Sequence, residues 1–162
     1  RGLAVPIDPI LRFHAGRAAW ATKHKTLPLV QSSVEEATAM LLGALDACEV
    51  PIGDLRNRPS VPEWSRAIAK AIGRRTRKTV HELGLSFEDR GGEVARFCRA
   101  ARQSSLRAGL LVSSDLESAL AVVLGTAPSL HAVLQSPEAS DLVCFHLSST
   151  SLTLRRELGL AS

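Results

Sequence analysis

Helix-start signals recur along this chain, and they limit its fold more than any other feature. Asp8-Pro9 joins a good N-cap to a residue suited to the first helical position. Ser33-Val34-Glu35-Glu36 and Ser114-Asp115-Leu116-Glu117 read as capping boxes, in which the Ser and the Glu three residues later satisfy each other's free backbone donors. Ser136-Pro137-Glu138 opens a further helix by the same logic as Asp8-Pro9. The residues between these signals agree with them. Ala and Leu dominate, aromatics make up 4%, and there is no Tyr, whereas sheets favour β-branched and aromatic side chains. The expectation is an all-α fold, an irregular bundle of seven to nine helices forming a single domain over residues 1–162.

Apolar spacing places the helices. Ile10, Phe13, Ala18, Ala19 and Trp20 mark the first, which fades at Lys23-His24-Lys25 before Pro28. The second runs from Ser33 through Met40, Leu41, Leu42 and Leu45 to about Cys48. Residues 49–62 hold three prolines and a glycine and read as a stiff internal loop. A third helix begins near Glu63-Trp64 and continues through Ile68 and Ile72, with Gly73 a break point and a short helix over 75–83 beyond it. Another segment opens at Ser86-Phe87-Glu88-Asp89 and meets Gly91-Gly92. Val94, Phe97, Cys98, Ala101, Leu106, Leu110 and Leu111 mark a long helix that grows more apolar, as one ending inside a bundle does. Helices over about 115–125, 129–134, 136–147 and 148–158 complete the chain. The run "DLVCFHLS" has some β-propensity, but its Ser-Pro-Glu opening favours helix. No repeat of fixed period is present, and no apolar stretch reaches the length of a membrane span.

The patterns that would signal catalysis are incomplete. His81-Glu82 matches the first half of a zinc protease helix, which needs a second His four residues on; that position is Leu85. Cys144 and His146 are two apart, so on a helix they face different ways. Ser114, His131 and Asp115 contain the types of a catalytic triad, yet Ser114 reads as an N-cap and no nucleophile-elbow motif surrounds it. Gly91-Gly92 lacks the Lys and Ser/Thr of a phosphate loop. Cys48, Cys98 and Cys144 are odd in number and far apart, the pattern of buried free thiols in a reducing compartment. The chain is therefore expected to be non-enzymatic, without metal or cofactor, and cytoplasmic.

Charge is where the sequence speaks of a partner. Between Leu55 and Arg102 lie twelve Lys/Arg and five Asp/Glu, a local balance of +7 against −3 elsewhere. Arg66, Lys70, Arg74 and Lys78 are spaced by four, with Arg75 and Arg77 beside them. If Gly73 does not interrupt the helix, the six form a nearly continuous cationic ridge. Such a ridge attracts acidic protein surfaces and phosphate backbones alike. The residues around it suit phosphates better than base edges, and Trp64 is the only aromatic nearby for stacking. An acidic protein partner is the leading expectation, and nucleic-acid binding through the same stripe is the alternative. Arg107 and Asp115, flanking an apolar run, are expected to pair and fix a helix crossing.

"SSLRAGLLVSSDLESALAVVLG" at 104–125 resembles a helix–turn–helix that recurs in long bacterial tetratricopeptide-repeat proteins. "DLVCFHLSSTSLTLRRELGLA" at 141–161 is similar to the end of the same helical domain, and "LRFHAGRAAWA" at 11–21 to its opening helix. The chain departs from that pattern in carrying Ser114 where Gly is usual and "SSTS" where an aromatic is usual. The resemblance implies scaffold or interaction duty within a larger bacterial protein and names no catalytic residue. A first residue of Arg rather than Met accords with a fragment of something longer.

Overall fold

The computed structural model describes residues 8–87 and 92–160. Among them are ten α-helices, eight of them with seven or more residues, and no strand. They are α1 (Pro9–Lys23), α2 (Leu27–Gln31), α3 (Val34–Ala47), α4 (Val61–Ala71), α5 (Arg74–Gly84), α6 (Glu93–Ser113), α7 (Leu116–Leu124), α8 (Leu130–Gln135), α9 (Pro137–His146) and α10 (Ser149–Glu157). A 3₁₀ turn, Gly53–Asn57, lies within the Pro-rich stretch. The chain gathers into two compact units: one holds residues up to Leu27 and from Ala101 onward, the other Pro28–Ala100.

The caps act largely where the sequence places them. Asp8 accepts a hydrogen bond from Ile10 N at 2.9 Å, Ser33 from Glu36 N at 3.1 Å and Ser136 from Ala139 N at 3.2 Å. Three local expectations are corrected. Leu27–Gln31 forms a short helix that the sequence did not announce, with Pro28 in its first turn where no N–H is needed. α4 starts at Val61 rather than Glu63, with Pro62 in its first turn. Ser114 is not an N-cap: it follows α6 with φ of 56°, and Asp115 caps α7 by accepting from Ser118 N at 3.0 Å. The expected helix opening at Ser86-Phe87-Glu88-Asp89 and the Gly91 of its break lie partly outside the described residues.

In the first unit, Phe13, Leu106, Leu110, Ala119, Leu120, Ala139, Leu142 and Phe145 form the core. α7 packs on α1 and α9, while α8 and α10 pack on α9. Ile10, expected on the inner face of α1, is exposed, and Gly16 is buried instead. The reason is a close crossing of α1 and α6. A Cβ on Gly16 would lie 2.8 Å from the Ala108 carbonyl oxygen, and one on Gly109 would lie 2.8 Å from the Phe13 carbonyl oxygen. Backbone meets backbone there, so only a residue without a side chain fits. The expected Arg107–Asp115 pair does not form, because Asp115 is occupied as a cap. Arg107 instead makes two hydrogen bonds to the Asp141 carboxylate and lies over the Phe145 ring, 5.3 Å from its centroid. The hydrogen bonds to Asp141 raise the Arg107 pKa above its ordinary value.

In the second unit, α3 carries much of the core through Ala37, Ala39 and Leu42, joined by Cys48, Val50, Ile52, Val61, Val94 and Cys98. α4 crosses α3 at Gly43, where a Cβ would lie 2.6 Å from Trp64 Cβ and 2.9 Å from Ser65 N. Asp46 secures the crossing by accepting from Arg56 Nε and Ser65 Oγ, each at 2.6 Å. Cys48 and Cys98 are buried as expected, and burial pushes both thiols up. Cys144 is exposed, against expectation, because α9 turns its Leu142 and Phe145 inward and position 144 falls on the outer side. No helix among the described residues is long and apolar enough to cross a membrane.

Two stability predictions follow from these contacts. Gly109→Ala gains about 1 kcal/mol of helix propensity but overpacks a backbone contact, for a net loss of about 1–2 kcal/mol in urea unfolding. An unchanged or raised midpoint contradicts the close crossing. Ser114→Gly relieves the left-handed conformation after α6 and raises stability by about 0.5–1 kcal/mol in the same assay; a loss contradicts it.

Candidate functional site

The cationic residues divide between two helices. Ile72 leaves helical geometry with ψ of 129° to pack against the core, and Gly73 continues extended with ψ of 151°. The chain therefore breaks at Ile72-Gly73, the break point the sequence offered, and the ridge that depended on an uninterrupted helix does not form. Arg66 and Lys70 are exposed on α4, where Arg66 Nε donates to the Pro62 carbonyl at 3.2 Å. Arg74, Arg75 and Lys78 are exposed on α5. Arg74 and Lys78 stand one turn apart on one side of the helix, with Arg75 adjacent.

Arg77 points elsewhere. It is half-buried, and its Nη2 donates to the Ala69 carbonyl in the last turn of α4 at 3.0 Å. A cation at a helix C-terminus meets both an unpaired carbonyl and the negative end of the helix dipole. Its Nε is buried without a hydrogen-bond partner among the described residues. Of the six expected site residues, Arg77 is thus the one committed to structure.

His81 holds α5 from the same inward side. Its Nδ1 lies 3.0 Å from the Cys48 carbonyl oxygen, which only accepts, so Nδ1 carries the proton and donates. Gly84 completes the attachment by lying directly against Val50. Leu85, where a second zinc ligand would stand, is 64% exposed. Asp115 and Ser114 are both engaged locally, the former with Ser118 and the latter donating to the Leu111 carbonyl at 3.3 Å. No group of three or more His, Cys, Asp or Glu side chains able to hold a metal occurs among the described residues.

The N-terminus of α5 is electrostatically unusual. Gly73 offers no side-chain cap, and the first turn contains no acidic residue. Arg74 and Arg75 occupy that turn, where the positive end of the helix dipole disfavours cations. Among the described residues Lys78 of this helix pairs with Glu82 at 3.7 Å, and both side chains are well exposed. An exposed pair of this kind contributes little. The helix thus presents three cations and a set of unpaired backbone N–H groups, with one surface carboxylate to offset them.

Two concave features accompany the helix in the same unit. An apolar groove of about 430 Å³ is lined by Leu41, Ala44 and Leu45 of α3, Val80 of α5, and Phe87, Val94 and Phe97, with Glu93 its one charged residue. A second cavity, of about 310 Å³, lies between α3, the Arg58-Pro59 segment and α6. Neither was legible in the sequence, because each is made by residues far apart in the chain. No protein-family model, curated protein or solved structure matches the chain.

Replacing Arg74 or Arg75 by Glu should stabilise the isolated protein by about 0.3–1 kcal/mol each at low salt, since a carboxylate suits the N-terminal turn. Thermal unfolding of the single variants checks this. Destabilisation by either change would mean that the arginines make structural contacts and are not surplus charge.

Proposed function

We propose that this chain is a non-enzymatic protein-interaction or scaffold module of a larger bacterial protein, and that it docks an acidic partner through the outer face of α5. Arg74, Arg75 and Lys78 are the centre of that surface, with Arg66 and Lys70 of α4 as further contacts. The observation that carries the reading is the pair of arginines in a first turn that has no side-chain cap and no acidic residue. That arrangement costs the free protein stability, and a partner carboxylate there relieves the cost by meeting both the guanidinium groups and the helix dipole. Sites kept for binding at the expense of stability are common in proteins.

An acidic protein is favoured over nucleic acid on two grounds. A phosphate backbone presents a long row of charge and suits a continuous cationic track, whereas these cations are split at Ile72-Gly73. Base stacking requires exposed aromatic faces, and Trp64 is half-buried against the core. The resemblance of 104–125 and 141–161 to a helical domain of long tetratricopeptide-repeat proteins points the same way, toward assembly and away from chemistry.

Capture from native lysate, with and without nuclease, tests the proposal. The wild-type chain should retain a partner through nuclease treatment, and a variant with Arg74, Arg75 and Lys78 all changed to Glu should lose it at least tenfold. Capture abolished by nuclease would assign the surface to nucleic acid. Equal capture by both forms would move the docking surface away from α5.

A further inference from the structure

The 310 Å³ cavity in the second unit has a chemistry of its own. Its walls are Val34, Thr38 and Ala39 of α3, Pro59, and Ala95 of α6, with Glu35, Arg58 and Arg99 supplying charge. Small residues at 39 and 95 leave space where core packing ordinarily places larger side chains. Thr38 adds little polarity, since its hydroxyl already donates to the Val34 carbonyl at 2.6 Å. The lining is therefore apolar apart from the three charged groups.

The backbone that carries Arg58 is fixed. Its N–H donates to Leu55 O and its carbonyl accepts from Val61 N, both at 3.2 Å, while Pro59 restricts it to the extended conformation it adopts. Arg99 is carried by α6, one of the longest regular elements described. Neither guanidinium has an ion-pair partner among the described residues. Two guanidiniums against the single carboxylate of Glu35 leave the lining one positive charge in excess.

We propose that this cavity binds a small amphipathic monoanion, a carboxylate on a short apolar body, with Arg58 and Arg99 holding the carboxylate and Val34, Ala39, Pro59 and Ala95 enclosing the body. One negative charge brings the lining to neutrality, and guanidinium groups match a carboxylate's two oxygens in geometry. The volume lies at the small end of ligand pockets, which fits a short alkyl chain or single ring and excludes larger cofactors. The site is separate from the α5 docking face, and either can fail without the other.

Backbone-amide NMR of the whole chain, titrated with sodium hexanoate, tests the assignment. Saturable shifts centred on Thr38, Ala39 and Ala95 are expected, at least tenfold weaker in Arg99→Gln and Arg58→Gln. Ala95→Leu, which fills the cavity without touching charge, should abolish them while leaving the remaining spectrum dispersed. Absence of saturable shifts, equal shifts with neutral hexanamide, or unchanged affinity in the arginine variants would each overturn the proposal. So would inorganic phosphate binding as tightly as hexanoate, because the apolar walls would then contribute nothing.

Discussion

The second unit depends on the last two turns of α3. Gly43 lets α4 approach to backbone contact, and Asp46, one turn on, ties both Arg56 and Ser65 to the same helix. Cys48 then ends α3 and offers its carbonyl to His81. Through these groups α3 fixes the 3₁₀ turn, α4 and α5 in succession. Loosening that end of α3 would release the basic helix as well, because α5 is held to the unit by His81, Arg77, Gly84 and the packing of Val80 on the core. Its sequence, "RRTRKTVHELG", is among the least hydrophobic of the helices, so tertiary attachment and not propensity keeps it folded.

This attachment explains how α5 tolerates poor local electrostatics. A helix with arginines in its first turn and no cap is unfavourable by itself. Arg77 recovers part of that by turning back onto the end of α4, and His81 adds a second inward bond. Arg77 and His81 thus secure the helix, while Arg74, Arg75 and Lys78 stay exposed. Part-buried anchors and exposed cations share a single eleven-residue helix.

Much of the fold was legible because helix signals are local. Asp8, Ser33 and Ser136 cap as their neighbours in sequence require, and Ser-Pro-Glu correctly outweighed the β-propensity of "DLVCFHLS". What escaped was non-local. Nothing near Arg107 shows that Asp141 will reach it before Asp115 does, since Asp115 is claimed by its own helix start. The glycines at 16, 43 and 109 did carry a signal that could have been used: each sits inside a helix at a cost of about 1 kcal/mol, which usually marks a close crossing. The six basic residues were found from spacing, but spacing alone ran them into one ridge. Gly73 marked the break between the two helices, but the inward turn of Arg77 follows from packing, which periodicity does not encode. The two cavities had no sequence signature at all.

Hydrogen exchange of the α5 amides at low and at physiological ionic strength tests the central claim most directly. If its first turn holds surplus positive charge against the helix dipole, salt screens that repulsion, and protection across residues 77–84 should rise with ionic strength while the amides of α3 change little. Protection in α5 that falls with salt, or tracks α3, would show that the arginines are already compensated within the protein and that α5 has no electrostatic demand for a partner to meet.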